Sequence, residues 1–287
     1  MAVSGAAIAV VIVVLAARSI SRTEASRTGS FILFESRARD RPSALLVMNT
    51  DGTGLRRLRT SGRSPGNASW SPDGKRIAYD VLEPNGLIVY VINADGSGKR
   101  RVAMNAHHAD WSPNGREIVF QSGWETGIVD ARTFQRRLTF DMETVNPAWS
   151  PDGKQIAFGD TRSDGNGSSI WVVNVDGSGL HDLDPGGARR YFHNSRDADW
   201  SPDGKRIAFT VGREGCCVAV AVMNADGSGR RVLTTDGKSL SPSWSPDGSR
   251  ITYESRGQIL VMNADGTDKR QLTHDNRSNS QPVWSPP

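Results

Sequence analysis

From residue 31 onward, apolar and polar residues alternate with a period of two in short runs, and Gly-rich turns separate the runs. This is the pattern of half-buried β-strands joined by hairpins. The runs recur in a fixed order. One run ends in Trp-Ser-Pro-Asp-Gly. A second follows directly, at Arg76–Val81, Glu117–Ser122, Gln155–Asp160, Arg206–Val211 and Arg250–Ser255. A third, at Ile88–Asn93, Ile170–Asn174, Val218–Asn224 and Gln258–Asn263, leads into Asn-Ala-Asp-Gly or a close variant, a hairpin signal. A fourth resembles Arg136–Thr139. One unit is degenerate, with Asp130-Ala131-Arg132-Thr133 where the others carry Asp-Gly.

The punctuation of this pattern is specific. Trp-Ser-Pro-Asp-Gly stands at Trp70–Gly74, Trp149–Gly153, Trp200–Gly204 and Trp244–Gly248, with Asn114 replacing the Asp in Trp111–Gly115 and a truncated copy at Trp284–Pro287. Ser-Pro-Asp-Gly suits a type I turn, since Pro presets φ, Asp tolerates the next position and Gly closes it. The six tryptophans lie 41, 38, 51, 44 and 40 residues apart, a period that predicts one four-stranded propeller blade per repeat. The ends complete the count. Phe31–Ser36, Leu45–Asn49 and Leu55–Arg59 read as second, third and fourth strands with no Trp motif ahead of them, and Gln281–Ser285 supplies the missing first strand. The expectation is an all-β, six-bladed β-propeller of four-stranded blades, closed by pairing of N- and C-terminal strands, which protects the edges an open array would expose.

The repeat, WSPDGKRIAF followed by a strand, NADGSG and RRLT, resembles the TolB-type propeller repeat, also called WD40-like or PD40, over residues 31–287. True WD40 repeats are less similar, because Gly-His and a terminal Trp-Asp are missing. The resemblance implies an extracytoplasmic binding propeller, since TolB is a periplasmic protein of the Tol–Pal envelope system. TolB carries an α/β domain ahead of its propeller; the repeats here leave no room for one.

Ahead of the repeats, residues 2–17 (AVSGAAIAVVIVVLAA) are apolar. As a helix they would span about 24 Å, short of a ~30 Å bilayer core. The run reads as a signal-peptide core or a membrane anchor, residues 1–17, followed by a Ser/Thr/Arg linker over 18–30. Arg18, Arg22 and Arg27 follow it and no basic residue precedes it, the reverse of an ordinary export signal. The expected location is periplasmic or extracellular, with attachment to a membrane through residues 2–17. Charge bears on partners. The net +4 is concentrated in residues 18–63, which hold ten Arg against four acids. The remainder is close to neutral, which argues against a nucleic-acid surface and leaves the basic segment facing anionic lipid or solvent. Cys216 and Cys217 are the only cysteines. Adjacent Cα atoms sit about 3.8 Å apart, below the usual disulfide span, so two thiols are expected.

Two constellations stand out as candidate sites. Both types of Asp-Gly turn fall on one face of a propeller and are uniform. The opposite face carries loops that range from Arg256-Gly257 to Asp184–Asp197, and restricted variation of this kind carries binding in repeat proteins. In the long loop, Arg189, Arg190, Tyr191, Phe192 and His193 are a candidate ligand-binding set, because exposed aromatics with Arg are typical interface anchors; packing of the loop by Tyr191 and Phe192 is the alternative. Three residues before each motif Trp stand Asn67, His108, Asn146, Asp197, Ser241 and Gln281, all polar, which would ring the mouth of a central channel. His107, His108, His193 and His274 fall in loops leading there. No His-x-His or His-Glu-x-x-His spacing marks a metal site, and no Gly-x-Ser-x-Gly or Gly-x-x-x-x-Gly-Lys motif marks catalysis. No catalytic residue, metal ligand or cofactor is assigned. The reading is a non-enzymatic propeller binding a protein or cell-envelope polymer. The alternative is a metal-dependent channel enzyme of lactonase or polysaccharide-lyase type, using His108, His193 and Asp197.

Overall fold

A computed structural model describes residues 30–60, 62–123, 125–140, 144–159, 169–183, 193–213 and 217–287. The apolar run and linker expected before residue 30 lie outside the described residues. Among the described residues there is no helix long and apolar enough to cross a membrane.

Among the described residues, twenty-four strands form six antiparallel sheets of four. Blade 6 opens the chain with β1 (Phe31–Arg37), β2 (Ala44–Asn49) and β3 (Arg56–Arg57). Blade 1 is β4 (Arg63–Trp70), β5 (Arg76–Glu83), β6 (Gly86–Asn93) and β7 (Arg100–Met104). Blade 2 is β8 (His107–Trp111), β9 (Glu117–Ser122), β10 (Glu125–Asp130) and β11 (Arg136–Phe140). Blade 3 is β12 (Val145–Trp149), β13 (Gln155–Gly159), β14 (Ile170–Asn174) and β15 (His181–Asp182). Blade 4 is β16 (His193–Trp200), β17 (Arg206–Arg213), β18 (Cys217–Asn224) and β19 (Arg231–Val232). Blade 5 is β20 (Ser239–Trp244), β21 (Arg250–Ser255), β22 (Gln258–Asn263) and β23 (Arg270–Gln271). The last strand, β24 (Ser278–Trp284), returns to blade 6, whose order is β24-β1-β2-β3. The ring closes as the sequence predicts, with Ile32 opposite Trp284 and Leu33 opposite Val283.

The turns behave as their chemistry dictates. In Ser71–Gly74 the Gly74 amide donates to the Ser71 carbonyl at 2.8 Å, and Gly74 takes φ 65. The Asp73 carboxylate accepts from the Ser71 hydroxyl at 2.6 Å and the Lys75 amide at 3.1 Å. Asn114 reproduces both bonds, from Ser112 and Arg116, at 2.9 Å each. An uncharged oxygen is therefore sufficient for the turn. The two turn types also touch: Ala94 donates to the Lys75 carbonyl at 2.8 Å, and Ala225 and Ala264 repeat the bond to Lys205 and Ser249 at 2.9 Å. This bond puts both turns on one face. The degenerate unit keeps its turn through Asp130, whose carboxylate accepts from the Arg132 and Thr133 amides, while Phe134 takes the positive φ of 56.

The core lies between blades. Trp111 of blade 2 packs with Ala78, Val89 and Val91 of blade 1, and Trp200 of blade 4 with Ala157, Ile170 and Val172 of blade 3. Each motif Trp is thus the seal on the preceding blade, with Arg76 stacked over Trp111 and Arg206 over Trp244, both at 4.5 Å. One expectation is corrected. Cys217, at the start of β18, is disulfide-bonded, and no cysteine is free among the described residues. The chain's only other cysteine is the adjacent Cys216. The Cα span argued against such a bond, but bonding depends on whether the two sulfurs meet, which the Cα spacing by itself does not set.

Candidate functional site

The six innermost strands β4, β8, β12, β16, β20 and β24 surround a cavity of ≈ 160 Å³. Three layers of six residues line it. The first layer is Asn67, His108, Asn146, Asp197, Ser241 and Gln281; the second is Ala68, Ala109, Pro147, Ala198, Pro242 and Pro282; the third is Ser69, Asp110, Ala148, Asp199, Ser243 and Val283. The six polar residues that stand three before each motif Trp all line this one cavity, as its first layer.

The backbone explains how. All six first-layer residues are left-handed, with φ of 45, 51, 52, 55, 50 and 52 in chain order. Asn, Asp and His tolerate this region best among residues with a Cβ. The six-fold repetition marks a built feature rather than a chance outlier. At the same place each strand slips register against its neighbour, for example between Gly66 and Ser69, between Leu240 and Ser243, and opposite Leu33 and Glu35. A β-bulge of this kind inserts one extra residue and re-aims a side chain. The small Ala and Pro of the second layer leave the bore open below the polar ring.

A bulge frees a backbone N–H, which needs an acceptor. A second polar set supplies several: Glu35, Asp80, Gln121, Thr210 and Glu254, at equivalent positions on β1, β5, β9, β17 and β21. The His108 amide donates to the Asp80 carboxylate at 3.1 Å and the Ser241 amide to the Thr210 hydroxyl at 2.9 Å. The Gln281 amide donates to the Glu254 carboxylate, and the Asn67 amide to the Gln281 side-chain oxygen at 3.0 Å. Gly159 stands at the equivalent place on β13, where a Cβ would meet the Ser195 carbonyl oxygen at 2.9 Å. The Trp-Ser-Pro-Asp-Gly spacing does not mark this set. Its signal is there to read: an aromatic precedes each member, in Phe34-Glu35, Tyr79-Asp80, Phe120-Gln121, Phe158-Gly159, Phe209-Thr210 and Tyr253-Glu254.

The bore is acidic. Asp197 accepts from Asn146, from Thr210 at 2.9 Å and from Ser241 at 3.3 Å. In the third layer Asp110 accepts from the Ser69 hydroxyl at 2.7 Å and the Trp149 amide at 2.9 Å, while Asp199 accepts from the Trp244 amide at 2.6 Å. Each of these carboxylates reaches the next blade, tying innermost strands that share no ladder. Burial pushes the Asp110 carboxyl up and, with the nearby Asp110 charge adding, pushes Asp199 up to about 7. Burial likewise raises Asp80 to about 6, and burial with the Asp197 and Glu35 charges raises Glu254 to about 7. Burial, reinforced by His107, pushes His108 down to about 3, so its ring is neutral at ordinary pH. The Nδ1 atoms of His107 and His108 face each other at 2.5 Å.

Among the described residues no Lys or Arg lines the cavity, and no three His, Cys, Asp or Glu side chains are grouped to hold a metal ion. The arrangement offers hydrogen-bond donors and acceptors in a ring, above two protonatable carboxyls. Of the other candidate set, Arg189, Arg190, Tyr191 and Phe192 lie outside the described residues. The backbone of His193 opens β16, opposite Gly212. His274 follows β23 rather than lining the cavity.

Fold and repeat together define a six-bladed β-propeller built from tandem Trp-Ser-Pro-Asp-Gly units, uniform on one face and variable on the other. The family model of the PD40, TolB β-propeller domain matches residues 21–184 and 128–287. The chain belongs to that family. The Tol-Pal system protein TolB of Anaeromyxobacter dehalogenans is 34% identical over 210 residues, covering 66% of this chain and 43% of that protein. The chain thus spans less than half the length of this curated relative. Among solved structures, TolB from Acinetobacter baumannii aligns with a TM-score of 0.78 at 21% identity, over 90% of this chain and 67% of that one. A chain of the nidogen/laminin complex aligns at 0.71 with 13% identity, over 90% of this chain and 98% of that one. At such identities the likeness is one of fold alone.

Proposed function

We propose that the protein is a non-enzymatic, extracytoplasmic propeller that binds a protein or cell-envelope polymer on its variable loop face, at the mouth of the channel. The observation that carries this reading is the segregation of the two faces. The Ser-Pro-Asp-Gly and Asn-Ala-Asp-Gly turns, joined by the Ala94, Ala225 and Ala264 amides, are committed to the uniform face, whereas the opposite face combines loops of unequal length with a ring of polar side chains held on bulges. The similarity to two Anaeromyxobacter proteins named as Tol-Pal system protein TolB supports it. A fold of this kind hosts many functions, so the site residues must decide.

The test is capture from envelope extract by the full chain. Replacing Arg189, Arg190, Tyr191 and Phe192 by Ala should abolish capture with the melting temperature unchanged, because desolvated aromatic and Arg anchors contribute about 2 kcal/mol or more each. Capture by the quadruple variant at wild-type level would refute the assignment of the loop. Stoichiometric divalent metal, lost in His108→Ala together with turnover of a lactone or uronate polymer, would replace binding by catalysis.

A further inference from the structure

Away from the channel, the variable face holds a second concavity. Its volume is ≈ 400 Å³, and Arg37, Arg39, Arg41 and Arg63 line it together with Asp40 and Ser64. Two blades build it. Arg37 ends β1, and Arg39 and Arg41 sit in the turn to β2, where the Arg41 amide donates to the Ala38 carbonyl at 3.4 Å. Arg63 begins β4 of the next blade. That strand runs further toward the variable face than β8 or β12, whose first residues lie nearer their motif Trp. A register shift between Arg63 and Pro65, with Ser64 at φ 51, turns its end across the seam. The Ser43 hydroxyl reaches the Pro65 carbonyl at 3.5 Å, joining the two blades under the pocket.

Four arginines therefore line the pocket with one aspartate, and Arg37 is also close enough to Glu35 to favour its charged form. None of the four is in an ion pair among the described residues, although other surface arginines are: Arg136 pairs with Glu125, Arg137 with Glu117, Arg270 with Asp268 and Arg277 with Asp275. The carboxyls Asp80, Asp197 and Glu254 are placed around the channel instead. Like charges gathered in one concavity are stabilised by an anion that bridges them.

We propose that this pocket binds a phosphoryl group, as inorganic phosphate or as a phosphomonoester. Two features select phosphate over carboxylate. Guanidinium forks match pairs of phosphoryl oxygens with parallel N–H···O bonds, and several forks need a group with more than two acceptor oxygens. A phosphomonoester carries a charge of about −1.5 to −2 at neutral pH with three acceptor oxygens, against one charge and two oxygens on a carboxylate. The site is independent of the polymer- or protein-binding reading, and neither stands on the other.

The test uses the full chain in detergent, titrated by calorimetry with inorganic phosphate, glycerol 3-phosphate and, as the carboxylate control, acetate. Sub-millimolar binding of both phosphates, with acetate bound far more weakly, is expected. Arg39→Gln, Arg41→Gln and Arg63→Gln together should weaken phosphate by about tenfold or more, which is ~1.4 kcal/mol, at an unchanged melting temperature, since all three side chains are exposed. The triple Lys variant should fall between, because it keeps charge and loses the fork. Phosphatidylcholine vesicles doped with phosphatidic acid identify the source. Competition with glycerol 3-phosphate beyond that of undoped vesicles assigns a lipid headgroup, and its absence assigns a soluble phosphate. Acetate binding as tightly as phosphate, wild-type affinity in the Gln variant, or no phosphate binding by the native chain would overturn the proposal.

Discussion

Closure of the ring rests on one strand, and its removal is the sharpest test of the fold. Deleting Gln281–Pro287 strips blade 6 of most of β24. The largest loss is Trp284, 8% exposed and packed with Ile32, Phe34, Ile259 and Val261 across the seam between blades 5 and 6. Removing such a side chain costs about 3–5 kcal/mol. Among the hydrogen bonds lost with it are the Phe31 amide to the Ser285 hydroxyl and the Ser285 amide to the Phe31 carbonyl, both 2.8 Å, at roughly 0.5–1.5 kcal/mol each. The sum, about 4–8 kcal/mol, rivals the ~5–15 kcal/mol that holds a typical domain folded. Deletion should therefore leave a chain that unfolds at room temperature or aggregates through the bared edge of β1. The milder Trp284→Ala should lower the melting temperature by roughly 6–20 °C, at ~2–4 °C per kcal/mol for a domain of comparable size. Circular dichroism melts and urea titrations of the three proteins read this directly. A truncated chain that melts cooperatively at the wild-type midpoint would refute ring closure as a source of stability.

Other predictions follow from particular residues. Glu254, raised to about 7 in the fold, binds its proton more tightly there than in the unfolded chain. Its contribution is fully present below about pH 4.5 and is lost as pH rises through 7. Glu254→Gln should therefore stabilise the protein at pH 8, by about 1 kcal/mol given the side chain's partial exposure, and should flatten the pH 5–8 stability slope; an unchanged slope would disprove the burial argument. His108 acts in the opposite sense. Its pKa is depressed to about 3, so its contribution is present above pH 6.5 and is lost as pH falls toward 3, and His108→Gln should reduce acid sensitivity in that window. Gly227→Ala places a Cβ 2.0 Å from the Leu183 carbonyl oxygen at φ +84 and should cost about 2–4 kcal/mol, whereas Gly123→Ala, at φ +59 with nothing within 4 Å, should cost only about 1 kcal/mol. Equal urea midpoints for the two variants would show that backbone strain, not the clash, sets the cost.

The sequence alone determined the architecture, because its information is local and repeated. Period-two alternation, Ser-Pro-Asp-Gly and Asn-Ala-Asp-Gly turns and six spaced tryptophans each specify a strand, a hairpin or a seam through neighbouring residues, and six copies leave little choice of fold. Even closure was legible, since three strands lacked a first and the chain ended with one. The polar ring was legible too, as the residue three before each Trp. What the ring does was not, because its character comes from contacts between repeats. Left-handed φ at six bulges, the Asp80 and Glu254 acceptors behind them, and the raised carboxyls of Asp110 and Asp199 all depend on residues of neighbouring repeats, far apart in the chain, meeting around one axis. The arginine pocket is the plainest case. Arg37, Arg39 and Arg41 are close in sequence, but Arg63 joins them only because β4 begins the blade beside β1, and composition alone could read their charge no further than a basic segment.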